Sequence, residues 1–191
     1  MTADFETPDD QLAASAVAGD ERAFARLMAR HKDRLYRFIR RYTGNPDEAS
    51  DLLQETFAAA WTALGRYDAA RSFPPWLRSI ALNKCRDWSR RRTVRRWLTR
   101  SVPLDGQTGL NLRDETPSAE MSVLEKQRLS RLDRAIADLP PGLKEPLILT
   151  ALEELSQEEA GRLLGLTAKA VELRVYRARR ALAAALALEE P

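Results

Sequence analysis

Residues 155–182 are LSQEEAGRLLGLTAKAVELRVYRARRAL, and this stretch contains the start and stop signals of two helices. Ser156, followed three residues later by Glu159, forms a capping box that satisfies backbone N–H groups at a helix start. Gly165 ends this short helix because glycine readily takes the left-handed conformation found after a helix. Thr167 then caps the next helix. Two helices separated by one glycine turn predict a helix-turn-helix.

The second predicted helix has two different faces at about 100° per residue. Its apolar side consists of Val171, Val175, Ala178 and Leu182. Its opposite side consists of Lys169, Leu173, Tyr176 and Arg180, with Arg177 beside them. A cationic face with an aromatic side chain, on the second helix of such a unit, is typical of insertion into a DNA major groove. A solvated basic helix on an all-α domain is the alternative explanation.

Charge is strongly segregated along the 191 residues, although the net charge is only +3. Residues 1–20 hold five acids and no Lys or Arg, whereas residues 71–100 hold ten Lys or Arg against the single acid Asp87. Such segregation indicates a polyanionic partner that contacts part of the molecule. A membrane surface is the competing polyanion. No apolar run approaches the roughly 20 residues that span a bilayer, and the acidic N-terminus does not resemble a signal peptide, so we expect a cytoplasmic protein.

The chain offers few residues for catalysis or metal binding. Cys85 and His31 are the only residues of their types, which excludes an intrachain disulfide and a Cys/His zinc cluster. The sequence also has no Gly-rich phosphate loop and no G-x-S-x-G motif. We therefore predict no metal, no cofactor, no small-molecule substrate and no enzymatic activity.

Helical periodicity extends over most of the chain, and no segment shows sustained strand alternation. It predicts three long helices at 20–42, 47–65 and 75–96, then further helices at 123–138 and 144–154 before the helix-turn-helix. Residues 101–122 contain two prolines and two glycines with little periodicity, which indicates a flexible linker. The predicted fold is all-α, with two small helical domains at 1–96 and 123–191 joined by the linker 97–122.

The helix predicted at 47–65 carries a polar stripe opposite its apolar side. The apolar side consists of Leu53, Phe57, Ala60 and Leu64, with Leu52 and Trp61 at its margins; the stripe consists of Asp51, Gln54, Glu55, Ala58 and Thr62. Acids beside a small alanine suit docking of another helix, since small residues permit close approach and acids attract a basic partner. An ordinary solvated face explains the stripe equally well.

The helix predicted at 75–96 carries the basic cluster. Its inward side consists of Leu77, Ile80, Ala81 and Trp88; its outward side consists of Ser79, Asn83, Arg86 and Arg90, followed by Arg91, Arg92, Arg95 and Arg96. Tyr67, Phe73 and Trp76 lie just before or at its start. Aromatic rings beside cationic side chains suit unstacked bases and their phosphates. Burial of Phe73 and Trp76 in the core is the alternative, and for Trp76 it is the preferred one.

Three segments together resemble the extracytoplasmic function (ECF) sigma factors of bacterial RNA polymerase. They are residues 51–61 (DLLQETFAAAW), 73–83 (FPPWLRSIALN) and 155–182. The resemblance implies that residues 1–96 are similar to sigma region 2 and residues 123–191 to sigma region 4. It also implies a protein that binds the polymerase core through the β′ coiled coil and the β flap, and that directs promoter-specific initiation.

The resemblance implies a role for each surface. The polymerase-binding residues would be Asp51, Gln54, Glu55 and Ala58; those that capture a flipped-out base of the −10 element would be Tyr67, Phe73 and Asn83, with Arg86 and Arg90; those at the −35 element would be Lys169, Leu173, Arg174, Tyr176, Arg177, Arg179 and Arg180. Family members are usually inhibited by an anti-sigma factor, often anchored in the membrane. We therefore expect such a partner, which would hold the protein at the inner membrane when it is anchored there.

The chain departs from the family pattern at four positions. Ala170 and Leu173 stand where a Thr and a Ser are common, and Glu172 where a basic or polar residue is common. Leu82 replaces an arginine that often precedes the asparagine at position 83. These departures put the usual −35 and −10 preferences in doubt. Three other classes stay open from the residues alone: a polymerase-independent helix-turn-helix repressor, an adaptor that binds only proteins, and a basic peripheral membrane protein.

Overall fold

A computed structural model describes residues 7–68, 72–100 and 123–187, and no β-strand occurs in these ranges. The predicted all-α fold is confirmed. The chain forms two compact units, of which the first combines residues up to Arg40 with Asp47–Cys85 and the second combines Arg41–Pro46 with the chain from Arg86 onward. The predicted linker segment 101–122 lies outside the described residues. The predicted domain boundaries stay a prediction.

The helices follow the order α1 (Asp9–Val17), α2 (Glu21–Thr43), α3 (Pro46–Ala63), a 3₁₀ turn (Leu64–Arg66), α4 (Phe73–Arg100), α5 (Val123–Asp138), α6 (Pro141–Leu147), a π turn (Ile148–Leu152), α7 (Gln157–Leu164) and α8 (Ala168–Ala187). The helices predicted at 20–42, 47–65 and 75–96 correspond to α2, α3 and α4. Helix α1 was not predicted.

Local signals set the ends of these helices. The Asp20 carboxylate accepts hydrogen bonds from the N–H groups of Arg22 (2.9 Å) and Ala23 (3.2 Å), so it caps the start of α2. Gly44 has φ of +73°, the left-handed conformation that ends a helix, and Pro46 then opens α3. Pro141 similarly opens α6, which explains why this helix begins before the predicted residue 144.

Apolar side chains from α1 to α4 fill the core of the first unit. They include Leu12, Leu27, Phe38, Ile39, Leu52, Phe57, Leu77, Ala81 and Cys85. Full burial of one large apolar side chain contributes about 1.5–3 kcal/mol, so this core stabilises the helices far more than their intrinsic propensity does.

In the second unit, α8 packs against α5, α6 and α7. The buried side chains include Ile136, Leu147, Ile148, Leu149, Ala160, Val171, Ala178 and Leu182. The helix predicted at 144–154 continues from α6 into a π turn, where the Glu153 N–H donates to the Ile148 carbonyl at 3.0 Å. This packing holds α7 and α8 in a fixed relation.

Candidate nucleic-acid interface

The capping signals of the helix-turn-helix are all confirmed. The Glu159 N–H donates to Ser156 Oγ at 3.1 Å, and Glu159 Oε2 accepts from the Ser156 N–H at 2.8 Å, which is the predicted capping box. Gly165 has φ of +69°, and Thr167 Oγ1 accepts from the Ala170 N–H at 3.2 Å. The start of α8 is therefore defined by contacts within a few residues of it.

A second glycine makes the turn between α7 and α8 possible. The Gly161 carbonyl accepts from the Leu166 N–H at 2.9 Å, which brings the turn back onto α7. A Cβ at position 161 would lie 2.6 Å from the Leu166 carbonyl oxygen. Sequence reasoning missed this requirement, although a glycine inside a short predicted helix is a signal of close backbone approach.

Helix α8 presents the predicted faces. Val171, Ala178 and Leu182 are buried and Val175 is half-buried. Of the residues predicted at the −35 element, Lys169, Leu173, Tyr176, Arg177, Arg179 and Arg180 are exposed and Arg174 is half-buried; the acid Glu172 is exposed as well. Leu173 and Tyr176 are the most apolar of these, at 48% and 59% exposed. The outer face of α8 thus combines apolar contact area with cations.

A shallow depression lies on this outer face. It has a volume of about 550 Å³ and is lined by Leu173, Tyr176, Arg177, Arg180 and Ala181. The Arg180 guanidinium lies 6.0 Å from the Tyr176 ring centroid. Such a surface can contact a thymine methyl through its apolar side chains and a base edge or a phosphate through its guanidinium groups.

The polar stripe on α3 lies at the surface, as its helical phase predicts. Asp51, Gln54, Ala58 and Thr62 are exposed, whereas Leu53, Phe57, Ala60 and Leu64 are buried. Glu55 is half-buried, and its Oε2 lies 3.3 Å from Nζ of Lys84 on α4. Helix α3 therefore offers an acidic surface whose central carboxylate already has one basic neighbour.

An apolar groove between α2 and α3 adjoins this stripe. Its volume is about 1040 Å³, and its lining includes Phe24, Met28, Leu53, Gln54, Ala58 and Trp61. Trp61 is 40% exposed and contacts Phe24, with the ring centroids 5.0 Å apart and the rings tilted by 55°. The groove was not predicted, because it forms only when α2 and α3 pack together.

The aromatic residues near the start of α4 lie in the core of the first unit. Tyr67 and Phe73 are 7% and 1% exposed, and Trp76 is half-buried. The three ring centroids lie 4.9–5.8 Å apart. The interpretation of Tyr67 and Phe73 as rings that stack on bases does not fit this arrangement, because their surfaces are covered by neighbouring side chains. The core alternative describes Phe73 better. Tyr67, for which no core position was predicted, is buried as well, whereas Trp76, for which the core was preferred, is only half-buried.

The polar side chains of α4 have different surroundings. Asn83 and Arg90 are exposed, and Arg90 is paired with Asp87. Arg86 is half-buried, and its Nη2 lies 2.6 Å from Oε2 of Glu145 on α6, within the second unit. Hydrogen bonding to Glu145 raises the pKa of Arg86. Arg86 therefore holds a protein carboxylate, whereas Asn83 is presented to the solvent.

The N-terminal helix α1 is the element that sequence reasoning missed. Asp9 at its start contacts two residues of α2: Oδ1 lies 2.5 Å from Arg30 Nη1, and Oδ2 lies 2.7 Å from His31 Nε2. The signal was present in Pro8 followed by two aspartates, since proline and acids are favoured at a helix start.

Two classes of feature are absent from the described ranges. None of the helices in residues 7–68, 72–100 and 123–187 is long and apolar enough to cross a membrane. Over the same residues, no group of three or more His, Cys, Asp or Glu side chains is arranged to hold a metal ion.

Comparison with known proteins identifies families and relatives that are similar to the chain. The family model for sigma-70 region 2 matches residues 27–95, and that for sigma-70 region 4 matches residues 129–182. The RNA polymerase sigma factor CnrH of Cupriavidus metallidurans is 40% identical over 182 residues, which cover 95% of each chain. The ECF RNA polymerase sigma factor SigW of Bacillus subtilis is 30% identical over 168 residues, covering 86% of this chain and 89% of SigW.

A solved structure supports the same relationship. CnrH in complex with the cytosolic domain of CnrY superimposes with a TM-score of 0.69 at 35% sequence identity, covering 95% of this chain and 99% of that one.

Proposed function

Because the chain belongs to the ECF family of RNA polymerase sigma factors, we propose a specific surface for each step that it performs in transcription initiation. As a sigma factor it binds the polymerase core, directs promoter-specific initiation and is not an enzyme, as predicted. The observation that supports the proposal best is the outer face of α8, where cations and apolar side chains are exposed beside a fully capped turn.

We propose that α8 recognises the −35 element in the major groove. Lys169, Leu173, Tyr176 and Arg177 would face the base edges, and Arg174, Arg179 and Arg180 would mainly contact phosphates. The exposure of Leu173 and Tyr176 supports this division, because an exposed apolar side chain on a cationic face suits contact with a thymine methyl. Leu173 in place of the serine common in the family then predicts a −35 preference of its own.

We propose that α4 recognises the −10 element through Asn83. Its amide is exposed, and an amide can pair with the edge of an unstacked base. The basic residues Lys84 and Arg90 lie near it on α4, where they pair with Glu55 and Asp87. The roles of Tyr67 and Phe73 become indirect, because both rings are buried beneath the start of α4.

We propose that the stripe formed by Asp51, Gln54, Glu55 and Ala58 docks on the β′ coiled coil. The neighbouring groove between α2 and α3 supports this assignment, since it provides apolar area next to the acids. A helix laid along such a surface would place apolar side chains in the groove and basic ones against the carboxylates.

The docking assignment is tested by titrating core polymerase with variants of the chain. Glu55→Lys should weaken core binding by about 1–3 kcal/mol, the range for a charged interfacial residue. Lys84→Met is the matched control, because it removes the same Lys84 to Glu55 ion pair but leaves the acid in place. Equal affinity of Glu55→Lys and the unmodified chain would contradict the assignment.

We further propose that an anti-sigma factor controls the chain. CnrH has been solved with the cytosolic domain of CnrY, so a related sigma factor of nearly equal length forms such a complex. An anti-sigma factor with a membrane segment would hold this chain at the inner membrane. Fractionation of the native host should then find the chain with the membrane before induction and in the cytoplasm after it.

The decisive experiment is run-off transcription with core polymerase on fragments of the host genome. The proposal predicts defined transcripts that appear only when both core and chain are present. A chain that binds core polymerase but starts no transcript from any fragment would contradict it.

A further inference from the structure

Helix α1 is joined to α2 by a small polar cluster, which we call the α1 anchor. It consists of Asp9, Arg30 and His31, with Thr7, whose carbonyl accepts from Arg30 Nη1 at 3.0 Å. The side chains of Asp9, Arg30 and His31 are 19%, 25% and 15% exposed. Hydrogen bonds between charged groups are about twice as strong as neutral ones, and partial burial shields these from solvent.

The α1 anchor continues into the aromatic core beneath α4. The His31 ring lies 5.7 Å from the Phe73 ring, and Phe73 in turn contacts Tyr67 and Trp76. Phe73 is the first residue of α4, and Asn83 lies about three turns further along the same helix. A continuous set of contacts within the first unit therefore joins Asp9 to the helix that carries Asn83.

Two further observations place α1 beside this aromatic core. Helix α1 packs against the 3₁₀ turn Leu64–Arg66, which leads directly to Tyr67. Burial raises the pKa of the Tyr67 hydroxyl, and the nearby charges of Asp10, Asp68 and Asp9 raise it further. Helix α1 thus lies beside the turn that leads to Tyr67.

We propose that the α1 anchor is a positioning device for the −10 surface, with Asp9 as a positioning residue that acts through His31 and Phe73 on the start of α4. This inference rests on the proposed role of Asn83. Asp9 contacts no DNA; it fixes the orientation of the helix that does. A small displacement of a recognition group strongly weakens the contact that it makes, since such contacts depend on geometry.

Orientation and folding can be separated in this region. The apolar side of α1, formed by Leu12, Ala13 and Ala16, is buried independently of the α1 anchor. Asp9→Asn therefore leaves α1 packed while it removes the charge that binds Arg30 and His31. Asp10→Asn is the matched control for charge, because Asp10 is the next residue of the same helical turn, is exposed and also raises the pKa of Tyr67, but is not part of the α1 anchor.

The experiment measures the affinity of holoenzyme for a single-stranded oligonucleotide that carries the −10 sequence of a promoter mapped by run-off transcription. The chain is added in excess, so that all of the core polymerase is converted to holoenzyme. Asp9→Asn should weaken binding about tenfold, because a displaced recognition group loses part of its contact, and Asp10→Asn should not. Affinity for the polymerase core should be unchanged in both variants. Asp9→Glu retains the carboxylate and should restore most of the binding.

His31→Gln tests the route of the effect. Glutamine keeps a hydrogen-bond donor for Asp9 but removes the ring that packs on Phe73, so it should weaken oligonucleotide binding as Asp9→Asn does. Normal binding by His31→Gln would overturn the route through the aromatic core.

Other outcomes also decide the proposal. Equal losses in Asp9→Asn and Asp10→Asn would overturn it, because charge alone would then be responsible. Loss of core affinity in Asp9→Asn would overturn it in favour of a general structural role. If Asn83→Ala weakens binding and Asp9→Asn does not, the positioning role fails and the −10 assignment stands. If neither variant weakens binding, both fail.

Discussion

The two surfaces that we propose contact DNA are built in opposite ways. The outer face of α8 is formed by exposed side chains on a helix whose N-terminal cap and preceding turn both lie within residues 155–170. The helix that carries Asn83 begins at Phe73, whose buried ring contacts Tyr67 and His31 of α2. Aromatic residues are thus available for contact in one surface and serve as support in the other.

This difference has a thermodynamic consequence. Truncation of a buried aromatic side chain removes its transfer free energy and leaves a cavity, whereas truncation of an exposed one changes stability little. Substitutions of aromatic residues should therefore affect folding at the −10 surface and recognition at the −35 surface. The variants below test this contrast in order of expected effect.

The largest effect is expected for Phe73→Ala. Phe73 is 1% exposed and contacts three other rings, so its loss should lower the free energy of unfolding of the first unit by about 3–5 kcal/mol. The measurement is chemical denaturation followed by circular dichroism. Tyr176→Ala is the matched aromatic control at 59% exposure, and it should change stability by less than about 0.5 kcal/mol. Similar losses of stability in both variants would contradict the contrast between buried and exposed aromatic residues.

The next effect is expected at the turn between α7 and α8. Gly161→Ala gains about 1 kcal/mol of helix propensity, but the new Cβ would lie 2.6 Å from a backbone carbonyl oxygen that cannot rotate away. The clash should prevail, with a net loss of roughly 2 kcal/mol of stability. The −35 recognition surface should be lost with it, since the turn positions α8.

Gly65→Ala provides the control for this substitution. A Cβ at position 65 would meet no atom within 4 Å, so this variant should be as stable as the parent or slightly more so. Denaturation curves of the two alanine variants compare the two sites directly. A neutral Gly161→Ala would show that the turn can relax around the added methyl group.

The same contrast explains what the sequence could predict. The helix-turn-helix, the caps at Ser156 and Thr167, and the exposed and buried faces of α8 all depend on residues close in sequence, and each was predicted correctly. The polar stripe on α3 was found in the same way, from helical phase alone. Interactions between residues close in sequence determine these features, so a pattern of a few residues is sufficient to predict them.

The −10 surface was harder to predict because it depends on contacts distant in sequence. The burial of Tyr67 and Phe73 arises from packing against each other and against His31. The ion pair of Arg86 depends on Glu145, which lies 59 residues further along the chain. A helical wheel identifies outward residues but not the partners that contact them, so it predicted the outward position of Arg86 but not its ion pair with Glu145.

A smaller effect is expected for Asn83→Ala. Loss of an amide that pairs with a base should cost roughly 1–2 kcal/mol of binding at one position of the −10 element, and should relax the preference there. Because Asn83 is exposed, stability and core affinity should remain unchanged. Permanganate footprinting of the open complex is the measurement. Normal melting with an unaltered base preference would show that Asn83 is not the recognition residue.

The smallest effect, and the sharpest test of the −35 surface, is expected for Leu173→Ser. Leu173 is 48% exposed at the depression on the outer face of α8, where it can contact a thymine methyl but cannot donate a hydrogen bond. Serine should exchange that contact for a hydrogen bond and shift the preference at one base pair by about 1 kcal/mol. Nonspecific affinity and its salt dependence should stay constant, because they depend on the arginines that contact phosphates. Arg179→Ala should leave the base preference unchanged but weaken binding to all sequences alike. The slope of log affinity against log salt concentration should change by about one unit. Selection from a randomised −35 library distinguishes the two variants, and an unchanged preference for Leu173→Ser would place Leu173 away from the bases.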